Sequence, residues 1–405
     1  MPFEWLVAIR FLREGKAQTM LILSGIGVGV GVIIFLSALI TGLQQSIIDR
    51  TLGTQPHVVV RPQEEMVRQL VRVPGGVVVA RMLRPPQRLR TILRWQQTLD
   101  EVRAVEGVVA AAPVVNGAAF ALRGNANRSV AVRGVEAGSY ARIIDMESKI
   151  VSGHFDVEGG KAVIGVELAK ELGVGQGDKL RLSTPDGRQE VFLISGIFDV
   201  GNRDLNLRWV FVSLRAGQTL LDLAGGISTI ELKCDDIFDA ETVAQTIASR
   251  SGLIAESWMK LNSQLLVGLR SQGSSSIMIQ FFVVVAVALG IASVLIVSVV
   301  QKSAEIGILK AMGTPTRRVV GVFLLQGALL GLVGSILGML LGTGLAMFFQ
   351  KLASNPDGSP TFPVNLTLLL YLRSAAIATI VGILAATSPA REAAKLDPAE
   401  VIRYG

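Results

Sequence analysis

The chain contains a single cysteine, Cys234, so no internal disulfide can staple it, and a lone structural thiol is the expectation for that position. Its two histidines, His57 and His154, lie far apart without Cys or carboxylate companions at metal-ligand spacing, which excludes a sequence-legible metal centre. There is no G-x-x-x-x-G-K-[S/T] loop. The stretch Gly173-Val-Gly-Gln-Gly-Asp-Lys179 fails that spacing and precedes a strand pattern. The glycines from Gly25 to Gly31 mimic a dinucleotide fingerprint only in spacing, because they lie in an apolar run with no strand before it. Catalytic, metal and nucleotide-binding residues are therefore all absent from the expectation. Charge is scarce as well: 18% of 405 residues, against 50% hydrophobic. That is too apolar for an ordinary soluble domain and too charged for a protein wholly inside a membrane.

What the sequence does have is long apolar runs. Spans of about 18 or more residues, enough to cross roughly 30 Å of hydrocarbon, occupy 19–41, 277–300 and 319–349, with a weaker fourth at 366–388. Arg373 sits inside the fourth and must snorkel or face a bundle interior. Lys and Arg concentrate in the amino-terminal segment (Arg10, Arg13, Lys16), in the 301–318 loop (Lys302, Lys310, Arg317, Arg318) and in the 389–405 tail (Arg391, Lys395, Arg403), while the 350–365 loop has only Lys351. The positive-inside rule then puts both termini in the cytoplasm and residues 42–276 outside. That outside region carries 27 Lys and Arg against 25 Asp and Glu, leaving 12 against 7 elsewhere, so the net charge of +7 follows membrane topology and gives no reason to expect nucleic acid. Residues 1–18 mix Phe3, Trp5, Leu6, Ile9, Phe11 and Leu12 with charges, the pattern of a short helix on the inner membrane surface. The 19–41 run exceeds a signal-peptide core and is expected to be retained.

The 42–276 region alternates strand-like stretches (57–61, 118–122, 129–135, 179–183, 190–197, 209–213, 228–233) with helical ones (94–105, 167–172, 240–251). Thr184-Pro185-Asp186-Gly187 predicts a short hairpin tip between two of those strands. Residues 62–94 are rich in arginine, with paired prolines at 85 and 86, and read as a solvated loop or as an arm meeting anionic lipid headgroups. Apolar stripes through Leu43, Ile47 and Ile48 and through Leu261, Leu265 and Leu269 predict helical stalks that continue the spans outward, the second broken at Gly273-Ser274-Ser275-Ser276. The fold class is thus an α-helical membrane protein with four transmembrane helices and a large extracytoplasmic α+β domain inserted between the first and second.

Two further patterns mark candidate sites. Gly327, Gly331, Gly334, Gly338 and Gly342 recur in steps of four and three along the third span, a helical face that lets backbones approach closely, against a helix of the same bundle or of a second copy. In the 301–318 loop, Ile306, Ile308, Leu309 and Met312 can seat a short helix against the bilayer or a protein groove, Glu305 and Lys310 are left for charged contacts, and Gly313 with Pro315 ends the helix.

The order of one span, an outside α+β domain and three spans, with Ser303-Ala-Glu-Ile-Gly-Ile-Leu-Lys-Ala-Met-Gly-Thr-Pro-Thr-Arg-Arg318 between the second and third spans, resembles the permeases of MacB/FtsX-type ABC transporters. Ala8 to Arg13, Gly165 to Asp178 and the tail Pro389 to Arg403 carry the same resemblance. Length, the lack of a fused ATPase and Gln55-Pro-His-Val58 make the chain most similar to the lipoprotein-releasing (LolC/LolE-like) permeases. The resemblance implies a non-catalytic bacterial inner-membrane subunit whose loop residues Glu305, Ile306, Ile308, Leu309, Lys310, Met312 and Gly313 couple it to a separate ATPase that binds ATP and Mg. It further implies a second permease copy or paralogue, contact with membrane lipids, and a periplasmic carrier or adaptor. One departure stands out: the carrier-recruiting member of that pair has a protruding hook where this hairpin closes at Thr184 to Gly187, which suits the other subunit or a lipid, glycolipid or drug exporter. An FtsX-like transducer acting on a periplasmic enzyme and an ATPase-independent sensor are the alternatives.

Overall fold

In the computed structural model, residues 3–63, 91–352 and 363–396 are described; the predicted arginine-rich segment falls almost wholly outside them. The helices are α1 (Phe3–Glu14), α2 (Lys16–Leu52), α3 (Trp95–Arg103), α4 (Ala137–Tyr140), α5 (Val166–Leu172), α6 (Arg203–Arg208), α7 (Leu214–Leu220), α8 (Ala240–Ser251), α9 (Trp258–Leu261), α10 (Ser263–Gln301), α11 (Ser303–Ala311), α12 (Thr316–Leu352), α13 (Leu368–Ala385) and α14 (Thr387–Lys395). The strands are β1 (Val58–Arg61), β2 (Val108–Arg123), β3 (Ala126–Val135), β4 (Ile150–Gly153), β5 (Lys161–Gly165), β6 (Lys179–Ser183), β7 (Gln189–Phe198), β8 (Trp209–Ser213), β9 (Thr229–Cys234) and β10 (Ile254–Ser257). They divide into two units, residues 49–266 and the remainder.

In the 49–266 unit, β2, β3, β8, β5, β7 and β6 pair in that order, and β6 returns to β2, so six strands close a ring. Alternation fills it. Leu180 and Leu182 point inward between exposed Lys179 and Arg181, and meet Phe192, Ile164, Val132 and Val210 in one buried cluster. Burying a side chain of that size contributes about 1.5–3 kcal/mol. A second cluster, built around Tyr140, Met146, Phe198 and Phe211, is covered by the chain after β3. Between β3 and β9 lies a buried ion pair, Arg133 to Glu231 at 2.5 Å, with the guanidinium 4.7 Å from the Trp209 ring centre. Burial pushes the Glu231 carboxyl up, against the opposing pull of Arg133.

The sheet extends beyond the ring as β9, β1 and β10. The strands by which the chain enters and leaves this unit are therefore neighbours, paired from Val58↔Ser257 to Arg61↔Ile254, and Asn262 donates to the Gln55 side chain at 3.0 Å. The hairpin tip closes as the sequence predicts: the Gly187 N–H donates to Thr184 O at 3.0 Å with φ +85° at Gly187, and Arg188 pairs with Asp222 at 2.6 Å.

The other unit is a helical bundle in which, among the described residues, four helices are long and apolar enough to cross a membrane. Ile26, Val30 and Ile34 of α2, Ile291 and Leu295 of α10, Leu330 of α12 and Ala378 of α13 share one core. The predicted break at 273–276 is not there: α10 runs unbroken from Ser263 to Gln301, and within it the Ser274 and Ser275 hydroxyls donate to the carbonyls of Arg270 and Ser271. Arg373 is exposed on α13, outside the bundle interior.

Candidate coupling site

The segment between α10 and α12 folds as α11, nine residues ended by a tight cap. The Thr314 N–H donates to Leu309 O at 3.2 Å and the Gly313 N–H to Lys310 O at 3.0 Å, with Gly313 at φ +89°. This paired closure needs a left-handed residue that only glycine adopts without strain, and Pro315 prevents continuation.

The apolar residues of α11 divide between two faces. Ile306 is 1% exposed and packs with Ala8 and Phe11 of α1, Phe323 of α12 and Ala390 of α14. Leu309 turns the same way, lining a small void with Thr314 and Val319. Ile308 and Met312, four residues apart and so on one face, are 51% and 70% exposed. The four apolar residues expected to seat the helix against the bilayer or a protein groove thus divide: Ile306 and Leu309 anchor it within the chain, and Ile308 and Met312 face outward.

The charges also divide. Lys310, expected to be left for a charged contact with an ATPase, is in this chain engaged with α14. Its ammonium donates to Ala394 O at 2.9 Å and Leu396 O at 2.6 Å, because the last carbonyls of α14 lack helical partners and carry the negative end of the helix dipole. Glu305 remains at the surface in a chain of ion pairs: Lys302 meets Glu305 at 2.7 Å and Glu14 at 2.5 Å, and Arg10 meets Glu14 at 2.9 Å. Hydrogen bonds from Lys302 and then Arg10 hold the Glu14 carboxyl below its usual range, and Glu14 followed by Glu305 raises the Lys302 ammonium. The Lys302 to Glu305 spacing was readable as a helical pair. Glu14 and the carboxyl end of α14 were not, since only the tertiary fold brings them to α11.

The five glycines of α12 line a stripe with two neighbours. A Cβ on Gly327 would strike the Gly382 carbonyl of α13, and one on Gly331 would lie 2.5 Å from Ala378 O. Farther along, a Cβ on Gly334 would lie 2.5 Å from Ile26, on Gly338 2.5 Å from Val30, and on Gly342 2.8 Å from Gly31 O, all on α2. The stripe thus packs within its own bundle.

Of the histidines, His57 is buried and its Nδ1 accepts the Cys234 N–H at 3.0 Å, so it is a neutral core residue, and the Cys234 thiol beside it is buried and pushed up to about 11. His154 is exposed beside Glu147.

Comparison with known proteins matches this architecture. Residues 19–250 match the MacB-like periplasmic core domain family and residues 277–398 the FtsX-like permease C-terminal family. The lipoprotein-releasing system transmembrane protein LolC of Xylella fastidiosa is 24% identical over 440 residues, which cover 100% of this chain and 99% of that protein. LolE of Haemophilus influenzae is 25% identical, covering 93% and 92%. The periplasmic region of MacB from Actinobacillus actinomycetemcomitans is 13% identical, covering 54% of this chain and 95% of that one, with a TM-score of 0.35. The chain belongs to the FtsX-like permeases of ABC transporters that carry a MacB-like periplasmic core domain.

Proposed function

We propose that this chain is the non-catalytic transmembrane subunit of a lipoprotein-releasing ABC transporter in a bacterial inner membrane, driven by a separate ATPase that docks on α11 and binds the ATP and Mg. The observation that carries this reading is the divided face of α11: Ile306 fixes it to α1, α12 and α14, while Ile308 and Met312 present apolar surface with Glu305 at its edge. An exposed apolar pair rimmed by charge is the form of a partner-binding surface. Full-length similarity to LolC and LolE supports lipoprotein release as the task, and supports a second permease copy or paralogue beside this one.

In this reading α1, α11 and α14 lie in the cytoplasm. Their sharing of one hydrophobic cluster supports a single membrane side, as the Lys and Arg distribution does. ATP-driven approach of two ATPases moves α11, and α1 and α14 move with it through Ile306 and Lys310. The displacement passes along α2 and α10 to the neighbouring strands β1 and β10 of the periplasmic unit. ATP binding then shifts a population of arrangements without opening a polar channel through the spans. The short tip at Thr184 to Gly187 suits a subunit that leaves carrier recruitment to its partner.

The test is co-purification of the ATPase with Glu305→Lys and with Ile308→Asp/Met312→Asp, alongside ATP-dependent release of a lipoprotein from vesicles. Both variants are expected to insert and fold. The second is expected to weaken ATPase binding at least about tenfold, since losing one buried apolar side chain costs about 1.5–3 kcal/mol. Unchanged ATPase recovery and release in both variants would remove α11 from the coupling role.

A further inference from the structure

The junction between α1 and α2 leaves an open groove of about 270 Å³ against α12. Ile9 and Leu12 of α1, Leu23 of α2, and Leu330 and Val333 of α12 line it, together with exposed Arg13 and half-buried Thr19. Water is a poor occupant, because an ordered water needs two to four polar partners and the Thr19 hydroxyl already donates to Leu12 O at 2.9 Å. Arg13 differs from its neighbours. Arg10 and Lys302 share Glu14, whereas exposed Arg13 has no ion-pair partner among the described residues. An apolar slot edged by an uncompensated guanidinium has the chemistry of one molecule: an acyl chain carrying an anionic headgroup.

We infer that this slot binds an anionic phospholipid of the leaflet on which α1 lies, one acyl chain entering between α1, α2 and α12 and the phosphate resting on Arg13. The inference depends on α2 and α12 crossing a bilayer, as proposed above. The lipid covers apolar surface of three helices that the chain itself leaves open. It also braces the joint at Gly15, where α1 turns into α2, so the lipid composition of that leaflet bears on how α1 follows α11.

The experiment reconstitutes the full chain in phosphatidylcholine nanodiscs doped with phosphatidylglycerol bearing a diazirine on its acyl chain, or with the matching phosphatidylcholine probe, and maps crosslinks by mass spectrometry. Both leaflets hold probe, so the result does not depend on orientation. Ile9, Leu12 and Val333 are expected to be labelled about fivefold more by the anionic probe, the preference one basic residue gives near an anionic lipid. Met20 and Leu21, exposed on the outer surface of α2, are expected to label equally with both. Arg13→Gln should abolish the preference and Arg13→Lys retain most of it, while Val333→Trp, which fills the slot, should remove labelling there by either probe. Equal labelling by the two probes, a preference surviving Arg13→Gln, or an unlabelled slot beside labelled Met20 and Leu21 would each overturn the site. Absence of label at Met20 and Leu21 as well would instead count against the bilayer-spanning reading.

Discussion

Gly338 of α12 and Val30 of α2 stand so close that a methyl group added to the glycine would lie 2.5 Å from the Val30 Cβ. Real Cβ atoms do not approach so closely, so the two helices owe their separation to the missing side chain. In a bilayer, where lipid tails are as apolar as leucine, such backbone approach is a main source of helix association.

Gly338→Val is accordingly expected to lower the stability of the detergent-solubilised chain by about 1–3 kcal/mol through overpacking. Gly344→Ala, at a position where an added Cβ meets open space, should leave it within about 0.5 kcal/mol. Thermal denaturation of the two variants side by side checks this, and equal melting temperatures would contradict the packing.

The Arg133 to Glu231 pair should behave as buried pairs do. Arg133→Met leaves the Glu231 carboxyl buried without its cation and is expected to cost about 3–5 kcal/mol, whereas Arg133→Met combined with Glu231→Leu should recover most of that loss. Denaturant unfolding followed by the fluorescence of Trp209, which packs on Arg133, measures both variants. A double variant no more stable than the single would mean the pair is net stabilising.

His57 predicts a pH dependence. Burial, followed by the nearby Lys233 charge, holds its imidazole below the ordinary value of 6.5, and its Nδ1 must stay unprotonated to accept from Cys234. The unfolded chain therefore binds the proton first as pH falls. Stability from this residue is complete above about pH 6.5 and drains away below it, through the folded-state value. His57→Asn keeps an acceptor and removes the titration, so the melting-temperature advantage of the unaltered chain should shrink between about pH 8 and about pH 5. An advantage constant across that range would show that His57 is not the group responsible.

Lys310→Met removes both hydrogen bonds to the carboxyl end of α14. The expected result is about fivefold faster amide hydrogen exchange across 387–396, corresponding to about 1 kcal/mol of lost protection, with exchange in α13 unchanged. Equal exchange in α14 would mean that Ile306 and its cluster hold the tail without help from Lys310.

Much of the architecture is legible in the sequence. The four apolar runs, the stop at Gly313 and Pro315, and the tip at Thr184 to Gly187 depend on chain-local chemistry: hydrocarbon length, a positive φ, a fixed proline ring. Local chemistry also misled. Gly273 to Ser276 has the composition of a linker, yet the helix continues through it, with the Ser274 and Ser275 hydroxyls accommodated by carbonyls one turn back. Strand β5 is not legible in the sequence because Ala162, Val163 and Ile164 are all buried and leave no alternation to identify, and its place between β7 and β8 comes from pairing with distant segments.

The candidate site divides in the same way. The sequence by itself determined that residues 303–313 form a short amphipathic helix between two spans, because periodicity and capping act within one or two turns. Only the tertiary structure decided that Ile306 anchors while Ile308 and Met312 face out, that Lys310 holds the end of α14, and that Glu14 joins Glu305 through Lys302. Those outcomes depend on side chains up to about three hundred positions apart meeting in space, and a hydrophobic pattern records that a residue is buried without recording against what.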